Sequence, residues 1–289
     1  MTVNSRQATV ISRDGTAIAF ERSGTGPAII LVASALADRS DTAKLARLLA
    51  PHFTVINYDR RGRGASGDAA DYAVEREIDD IAALIDHAGG SASLFGSSSG
   101  AVLALRAAAA GVNVERLALY EPPFVVGHDG FGPPADFARN VTSLLARGRR
   151  GEAVKYFMTE AQGMPAFMVT MMRLVPGPWS KLKAMAHTLP YDIAVMGDTQ
   201  RGEPLDAEPW SRVTAPSLVL TGGKSPAGFH DAARALAGIL PDCRHRTLPG
   251  LNHGAVVMAP KRIAPVLIEF LAADGHPVPD RNGHGGTHR

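Results

Sequence analysis

Cysteine is nearly missing from this chain: Cys243 is the single thiol in 289 residues. One thiol closes no internal disulfide and supplies no cysteine metal set, so the core alone has to hold the fold. An excess of one charge is lacking too. Thirty basic residues face 28 acidic ones, a net charge of +2, and the arginine clusters at 60–63 and 147–150 carry no interleaved aromatics. That balance argues against nucleic acid as a partner. Long apolar runs are also absent: none approaches the roughly 20 residues of a membrane-spanning helix, and no membrane role is expected. Residues 1–7 are polar and show no apolar signal core, so the expected location is the cytoplasm. Asn140-Val141-Thr142 fits a glycosylation acceptor, a match without meaning unless the chain is secreted. What is present is ordinary for a globular chain, 45% hydrophobic and 20% charged, and long enough to bury a substantial core.

Short apolar runs alternate with helical patterns. Residues 9–12 and 17–22 read as strands around an Asp14-Gly15 turn. Ala28 to Val32 is continuously apolar, as a strand covered on both faces requires. A helix is predicted over 41–49, with Pro51 as its stop, then a strand over 53–57. Glu75 to His87 places Ile78, Ile81, Ala82 and Ile85 on one helical side. A strand over 92–95, a helix over 101–110 and a strand over 116–120 follow. Such alternation predicts fold class α/β, a mostly parallel, doubly wound sheet with right-handed crossovers.

The alternation stops near Pro122-Pro123. It resumes with a strand over 217–221, a helix over 230–239, a strand over 244–248 and a closing helix over 262–273. Between lies a helical stretch with breaks expected at Gly151, Gly163-Met164-Pro165 and Pro176-Gly177-Pro178. The expected layout is a core of residues 1–124 and 209–273, a helical cap of residues 125–208, and a disordered tail of residues 274–289 rich in Gly, His and Pro. The cap would lie over the carboxyl edge of the sheet, where open α/β sheets bind ligands. Seven of nine methionines (Met158, Met164, Met168, Met171, Met172, Met185 and Met196) fall in the cap. Two compatible readings stand: adaptable packing within the cap, and the lining of an apolar pocket.

Gly96-Ser97-Ser98-Ser99-Gly100 sits between the predicted strand and helix at 92–95 and 101–110. In that context it reads as a G-x-S-x-G elbow, with Ser98 on a strained turn and its hydroxyl exposed as a nucleophile. The glycines lack Cβ atoms, which lets the turn be sharp and its neighbours approach. The following helix directs its positive end at the reacting centre.

The order of elements, this elbow, and Tyr58-Asp59-Arg60-Arg61-Gly62-Arg63-Gly64-Ala65-Ser66 together resemble the α/β-hydrolase superfamily over about residues 9–273. The resemblance implies that Asp59 to Ser66 is a structural turn. It also implies that His253, in Leu248-Pro249-Gly250-Leu251-Asn252-His253-Gly254, is the general base. Of the other histidines, His87 ends a helix, and His52 and His245 read as surface or strand-edge positions. Most members place an aspartate after the strand that here reads Leu218 to Gly222, but Ser225 occupies that position. A neutral hydroxyl cannot stabilise an imidazolium, so the acid has to come from elsewhere. Glu121, in Tyr120-Glu121-Pro122-Pro123, follows the strand after the nucleophile helix. One subgroup of haloalkane dehalogenases and the zearalenone-type lactone hydrolases use a glutamate there. The second group is also similar in its Ser-Ser-Gly nucleophile region and its Glu-Pro step, and it too lacks the late aspartate. Glu121 is the expected acid; the alternatives are an ion pair between Glu121 and Arg60, or an acid from Asp192 or Asp198. Where many members have His-Gly, this chain has Val32-Ala33-Ser34-Ala35-Leu36. By position the oxyanion donors are the Ala35 and Ser99 amides, with Ser34 as substitute.

The resulting expectation is an enzyme that cleaves a small apolar ester or lactone through an acyl-enzyme. That chemistry needs no cofactor and no metal. A serine nucleophile argues against epoxide hydrolase and haloalkane dehalogenase, whose branches use aspartate. Acyltransferases and thioesterases would share every residue named. Ser225 and the missing His-Gly motivate one rival, a non-catalytic small-molecule-binding protein on the same scaffold. A cofactor-free cyclase or lyase using His253 as base is another.

Overall fold

Ala28–Val32 is buried beyond its first residue, as a strand inside a sheet covered on both faces must be. It is β3 of eight strands in one sheet: β1 (Ser5–Ile11), β2 (Ala17–Ser23), β3, β4 (Thr54–Tyr58), β5 (Ala92–Ser97), β6 (Val114–Tyr120), β7 (Ser217–Gly222) and β8 (Cys243–Leu248). The computed structural model describes residues 5–127 and 132–272. Strand order is β1-β2-β4-β3-β5-β6-β7-β8. β1 pairs with β2, and β2 with β4, antiparallel; from β4 to β8 every pairing is parallel. The polar, exposed β1 is an edge strand, whereas β4, β5 and β7 are buried along their whole length.

Two apolar layers flank the sheet. Helices Val74–Ala88, Ser99–Ala109 and Ala227–Ile239 bury Ile81, Leu84, Leu103 and Leu236 on one face. Helices Arg39–Leu49 and Pro260–Leu271 bury Leu45, Leu49, Ile263 and Leu267 on the other. A third cluster lies apart, built by Phe137, Val141, Val154, Phe157 and Leu189 of the segment between β6 and β7, together with Leu36 of the turn that follows β3. Among the described residues that segment contains no strand.

Two expected breaks in this segment are displaced upstream, to the gaps between Ala146 and Arg150 and between Met172 and Pro176. Gly151 lies inside helix Arg150–Tyr156; the left-handed residue before that helix is Gly148. Pro176-Gly177-Pro178 forms the first turn of helix Pro176–Met185. Proline is tolerated there because first-turn N–H groups have no intrahelical acceptor. The tail of residues 274–289 lies outside the described residues.

The parallel ladder decides where the candidate residues meet. β3, β5, β6, β7 and β8 all point their carboxyl ends at one edge of the sheet. Ala35, Ser98, Glu121, Ser225 and His253 each follow one of those ends. Residues scattered over more than two hundred positions thus arrive at one crevice.

Candidate active site

Ser98 is the elbow residue, with φ 53° and ψ −126°, immediately before helix Ser99–Ala109. The flanking glycines are needed for space. A Cβ on Gly96 would stand 2.3 Å from the Gly100 carbonyl oxygen, and one on Gly100 would stand 2.4 Å from that of Val32. The left-handed backbone therefore falls on Ser98 itself. The described non-glycine residues with positive φ are Leu36, Ser98 and Glu121. All three lie at this edge of the sheet. Each such conformation costs about 1–3 kcal/mol and persists where the surroundings over-determine it.

Glu121 is completely buried one residue past β6. Its N–H donates to Leu220 O at 2.9 Å, which holds the left-handed turn. Its Oε1 accepts from the Gly222 N–H at 2.6 Å, and its Oε2 lies 2.7 Å from His253 Nδ1. A carboxylate oxygen accepts, so the tautomer that fits this contact has Nδ1 as donor and Nε2 facing the serine. Nε2 lies 3.2 Å from Ser98 Oγ. Phe229 stacks on the imidazole with ring centroids 4.5 Å apart, and Tyr120 Oη donates to Asn252 O at 2.7 Å beside it.

The structure thus brings Ser98, His253 and Glu121 into one hydrogen-bonded line and leaves the other candidate acids out of it. Arg60 is paired with Glu77 and Asp192, not with Glu121. Asp192 accepts from Ser99 Oγ at 2.8 Å. Asp198 is exposed and paired with Arg201. Ser225 Oγ is buried without a hydrogen-bond partner. Asp59 accepts from the Ala65 N–H inside its own turn and from the N–H and guanidinium of Arg39 at the start of helix Arg39–Leu49.

Ala35 sits in a turn closed by the Ala37 N–H donating to Ser34 O at 3.3 Å. The left-handed position of this turn is Leu36 (φ 54°), so Ala35 is spared the conformation that favours glycine. Ser99 is the first helical residue, where geometry leaves the N–H without an intrahelical acceptor. A cavity of about 110 Å³ opens in front of these groups. Ala35, Ser98, Ser99, Asp192 and His253 border one end of it, and Gln162 and Gln200 add polar groups; Phe137, Phe157, Ile193, Met196 and Phe229 supply apolar wall. Of the methionines between β6 and β7, Met196 lines it, while Met158 and Met185 are buried in the helical cluster and Met168 and Met171 are exposed. Sequence reasoning missed Gly222, Phe229 and Leu36. Of these, only Gly222, two residues before a Lys-Ser-Pro stretch, carried any turn signal.

An eight-stranded, mostly parallel sheet with a serine elbow at its carboxyl edge defines the α/β-hydrolase class. The sequence pattern of the Alpha/beta hydrolase family matches residues 29–266, and the chain belongs to that family. Among solved structures, it is similar to an alpha/beta hydrolase from Sphaerobacter thermophilus DSM 20745. Identity is 52%, over 91% of this chain and 100% of that one, at a TM-score of 0.84. The esterase RhEst1 from Rhodococcus sp. ECU1013 shares the fold at 20% identity, 93% and 99% coverage and a TM-score of 0.69. The uncharacterized hydrolase YraK of Bacillus subtilis (strain 168) is 39% identical over 95 residues, 32% of this chain and 35% of that protein. The match therefore spans about a third of that relative's length.

Proposed function

We propose that the protein is a serine hydrolase of small apolar carboxylic esters or lactones, with Ser98 as nucleophile, His253 as base and Glu121 as the relocated acid. The observation that carries this reading is the line from Glu121 Oε2 to His253 Nδ1 at 2.7 Å and from His253 Nε2 to Ser98 Oγ at 3.2 Å.

Ser98 Oγ attacks the acyl carbon while Nε2 takes its proton. The imidazolium is stabilised by the Glu121 carboxylate, which is itself held in place by the Gly222 N–H. Charge developing on the carbonyl oxygen falls between the Ala35 and Ser99 amides, and each such donor contributes about 3 kcal/mol to the barrier reduction. The tetrahedral intermediate collapses, Nε2–H protonates the departing alkoxide, and an acyl-enzyme remains. In a lactone the alcohol stays attached to the acyl group. Water, deprotonated by Nε2, then attacks the acyl carbon; the new tetrahedral intermediate collapses, Nε2–H returns the proton to Ser98 Oγ, and the free acid leaves.

Cavity size supports a compact substrate. An apolar cavity of about 150 Å³ holds benzene, so the space here, about 110 Å³, suits a short acyl chain or a small ring. Fluorophosphonate labelling followed by turnover of short p-nitrophenyl esters and small lactones tests the reading. Wild type is expected to label at Ser98, and Ser98→Ala to lose about a millionfold in turnover. Binding of a lactone without labelling or turnover would instead favour the binding protein, and full activity in Ser98→Ala the lyase.

A further inference from the structure

Four fully buried charged side chains meet behind the Ser99 side of the site: Arg60, Arg63, Glu77 and Asp192. Two positive and two negative groups leave the cluster neutral. Arg60 grips Glu77 with a fork, Nε to Oε2 and Nη2 to Oε1, both 2.7 Å. Asp192 bridges the two arginines: Arg60 Nη1 to Oδ1 and Arg63 Nη2 to Oδ2, again 2.7 Å each. Burial alone would raise the Asp192 pKa, but Arg63 and Arg60 outweigh it and hold the carboxyl ionised.

The other contacts of these arginines go to the loop after β3 and to Ser99, whose Oγ accepts from Arg60 Nη1 at 3.4 Å. Arg63 Nη1 donates to Ser34 O at 2.7 Å and to Ala37 O at 3.3 Å, and Arg60 Nη1 to Ala33 O at 3.3 Å. Ser34 O and the Ala35 N–H belong to one planar trans peptide, in which they point in opposite directions. Holding the oxygen back toward Arg63 therefore aims the Ala35 N–H the other way. On the opposite side Ser99 Oγ donates to Asp192 Oδ1 at 2.8 Å, at the first residue of its helix. Arg63 Nε is buried without a partner. The fork is thus oriented for Asp192 and the loop carbonyls at the expense of its own third donor.

Asp192 does not come from the sheet. It lies on helix Leu189–Met196, between β6 and β7. Its neighbour Tyr191 stacks on Tyr72 at 3.9 Å, and Tyr72 Oη donates to Glu77 Oε1 at 2.8 Å, closing a second link to the same cluster.

We propose that Asp192, Arg60 and Arg63 form a positioning clamp that aims both donors of the oxyanion hole, and that seating of helix Leu189–Met196 completes it. The proposal rests on the serine-hydrolase reading of the site. Asp192 borders the cavity beside Ser99, but in this proposal all three are positioning residues that act through the Ala35 and Ser99 peptides.

The test compares wild type, Asp192→Asn, Arg63→Lys and Ser99→Ala by steady-state turnover of a short p-nitrophenyl ester. Alongside it run inhibition by a trifluoromethyl ketone, whose serine adduct bears an oxyanion, and thermal unfolding. Folded Asp192→Asn and Arg63→Lys are expected to lose at least about tenfold in kcat, since misplacement of about 1 Å can cost a hundredfold. KM should stay within about threefold, with ketone affinity falling in step with kcat, as a transition-state interaction requires. Unchanged kcat, or a loss carried by KM, overturns the clamp. Where neither variant folds, Ser99→Ala decides, because it leaves every ion pair intact. A fall in kcat and ketone affinity at constant KM supports the clamp, and wild-type values overturn it. Fluorophosphonate labelling separates the two levels. A wild type that neither labels nor turns over overturns the hydrolase reading and the clamp with it; an active wild type with unaffected variants overturns the clamp alone.

Discussion

Gly222 and Glu121 are 101 residues apart in sequence, yet the Gly222 N–H donates to Glu121 Oε1 at 2.6 Å. The bond crosses from the end of β7 to the residue after β6. It fixes one carboxylate oxygen in a fully buried position, which leaves Oε2 directed at His253. A glutamate, one methylene longer than aspartate, thereby reaches the histidine from a neighbouring strand.

Replacing that charge should be severe. In Glu121→Gln the amide retains the shape, but it cannot stabilise an imidazolium or enforce the Nδ1–H tautomer. Neutralising the equivalent group in a serine triad costs about 10⁴-fold in kcat. A loss of two to four orders of magnitude with KM little changed is expected from ester turnover. A change below about fivefold would rule Glu121 out as the acid.

Gly222 is constrained by space. A Cβ there would lie 2.5 Å from Leu251 O, on backbone two residues before His253. Lys224 N–H also donates to Leu251 O, at 2.8 Å, so the two loops are joined and neither yields easily. Gly222→Ala is expected to lose about 1–3 kcal/mol of stability, the usual effect of overpacking, and to lower kcat by displacing Glu121 and His253 together. Urea unfolding and ester turnover on the same sample check both.

Ser225 stands where most of the family carries its acid, and its buried hydroxyl has no hydrogen-bond partner. Leaving a buried polar group unsatisfied costs about 1–3 kcal/mol. Ser225→Ala should therefore be neutral or stabilising in thermal unfolding, with kcat within twofold of wild type. A large loss of activity would show that this hydroxyl takes part in the reaction.

Acid stability should depend on Asp192. Its folded pKa lies below the ordinary 3.8, because Arg63 and Arg60 outweigh the burial that would raise it. The unfolded chain therefore binds the proton more readily. The contribution to stability is complete above pH 3.8 and is lost as pH falls from there through the lower folded value. Asp14, held low by its hydrogen bond from Arg61, adds to the same decline. In urea unfolding, the wild-type midpoint should fall between pH 7 and pH 3 by more than that of Asp192→Asn. The variant starts lower, because breaking a buried ion pair costs about 3–5 kcal/mol. Equal declines would assign the acid sensitivity to other carboxylates.

Much of the fold is written locally. The continuous apolar run of β3, the short apolar stretches of β4 to β7, the helical spacing of Val74–Ala88 and the Gly-x-Ser-x-Gly step each depend on near neighbours in the chain. Their strand and helix assignments were legible within a few residues. Ser98 was legible as a candidate from its elbow motif, and His253 as a candidate from the family resemblance of the loop after the last strand. Glu121 needed an inference from what Ser225 lacks. The loop 33–37 showed a missing glycine but not its remedy, because the left-handed φ moved to Leu36, whose side chain is buried in the helical cluster.

Only the tertiary structure decided which charges meet. Arg60 and Asp192 are 132 positions apart, and no spacing rule links a turn after β4 to a helix before β7. The amino-acid sequence determines by itself what periodicity and short-range sterics encode: the elements, their order and the elbow. The partner of each buried charge is set by the parallel ladder, which gathers the strand ends at one edge, and by the cost of burying a charge alone, which leaves Arg60, Arg63, Glu77 and Asp192 stable only in one another's company.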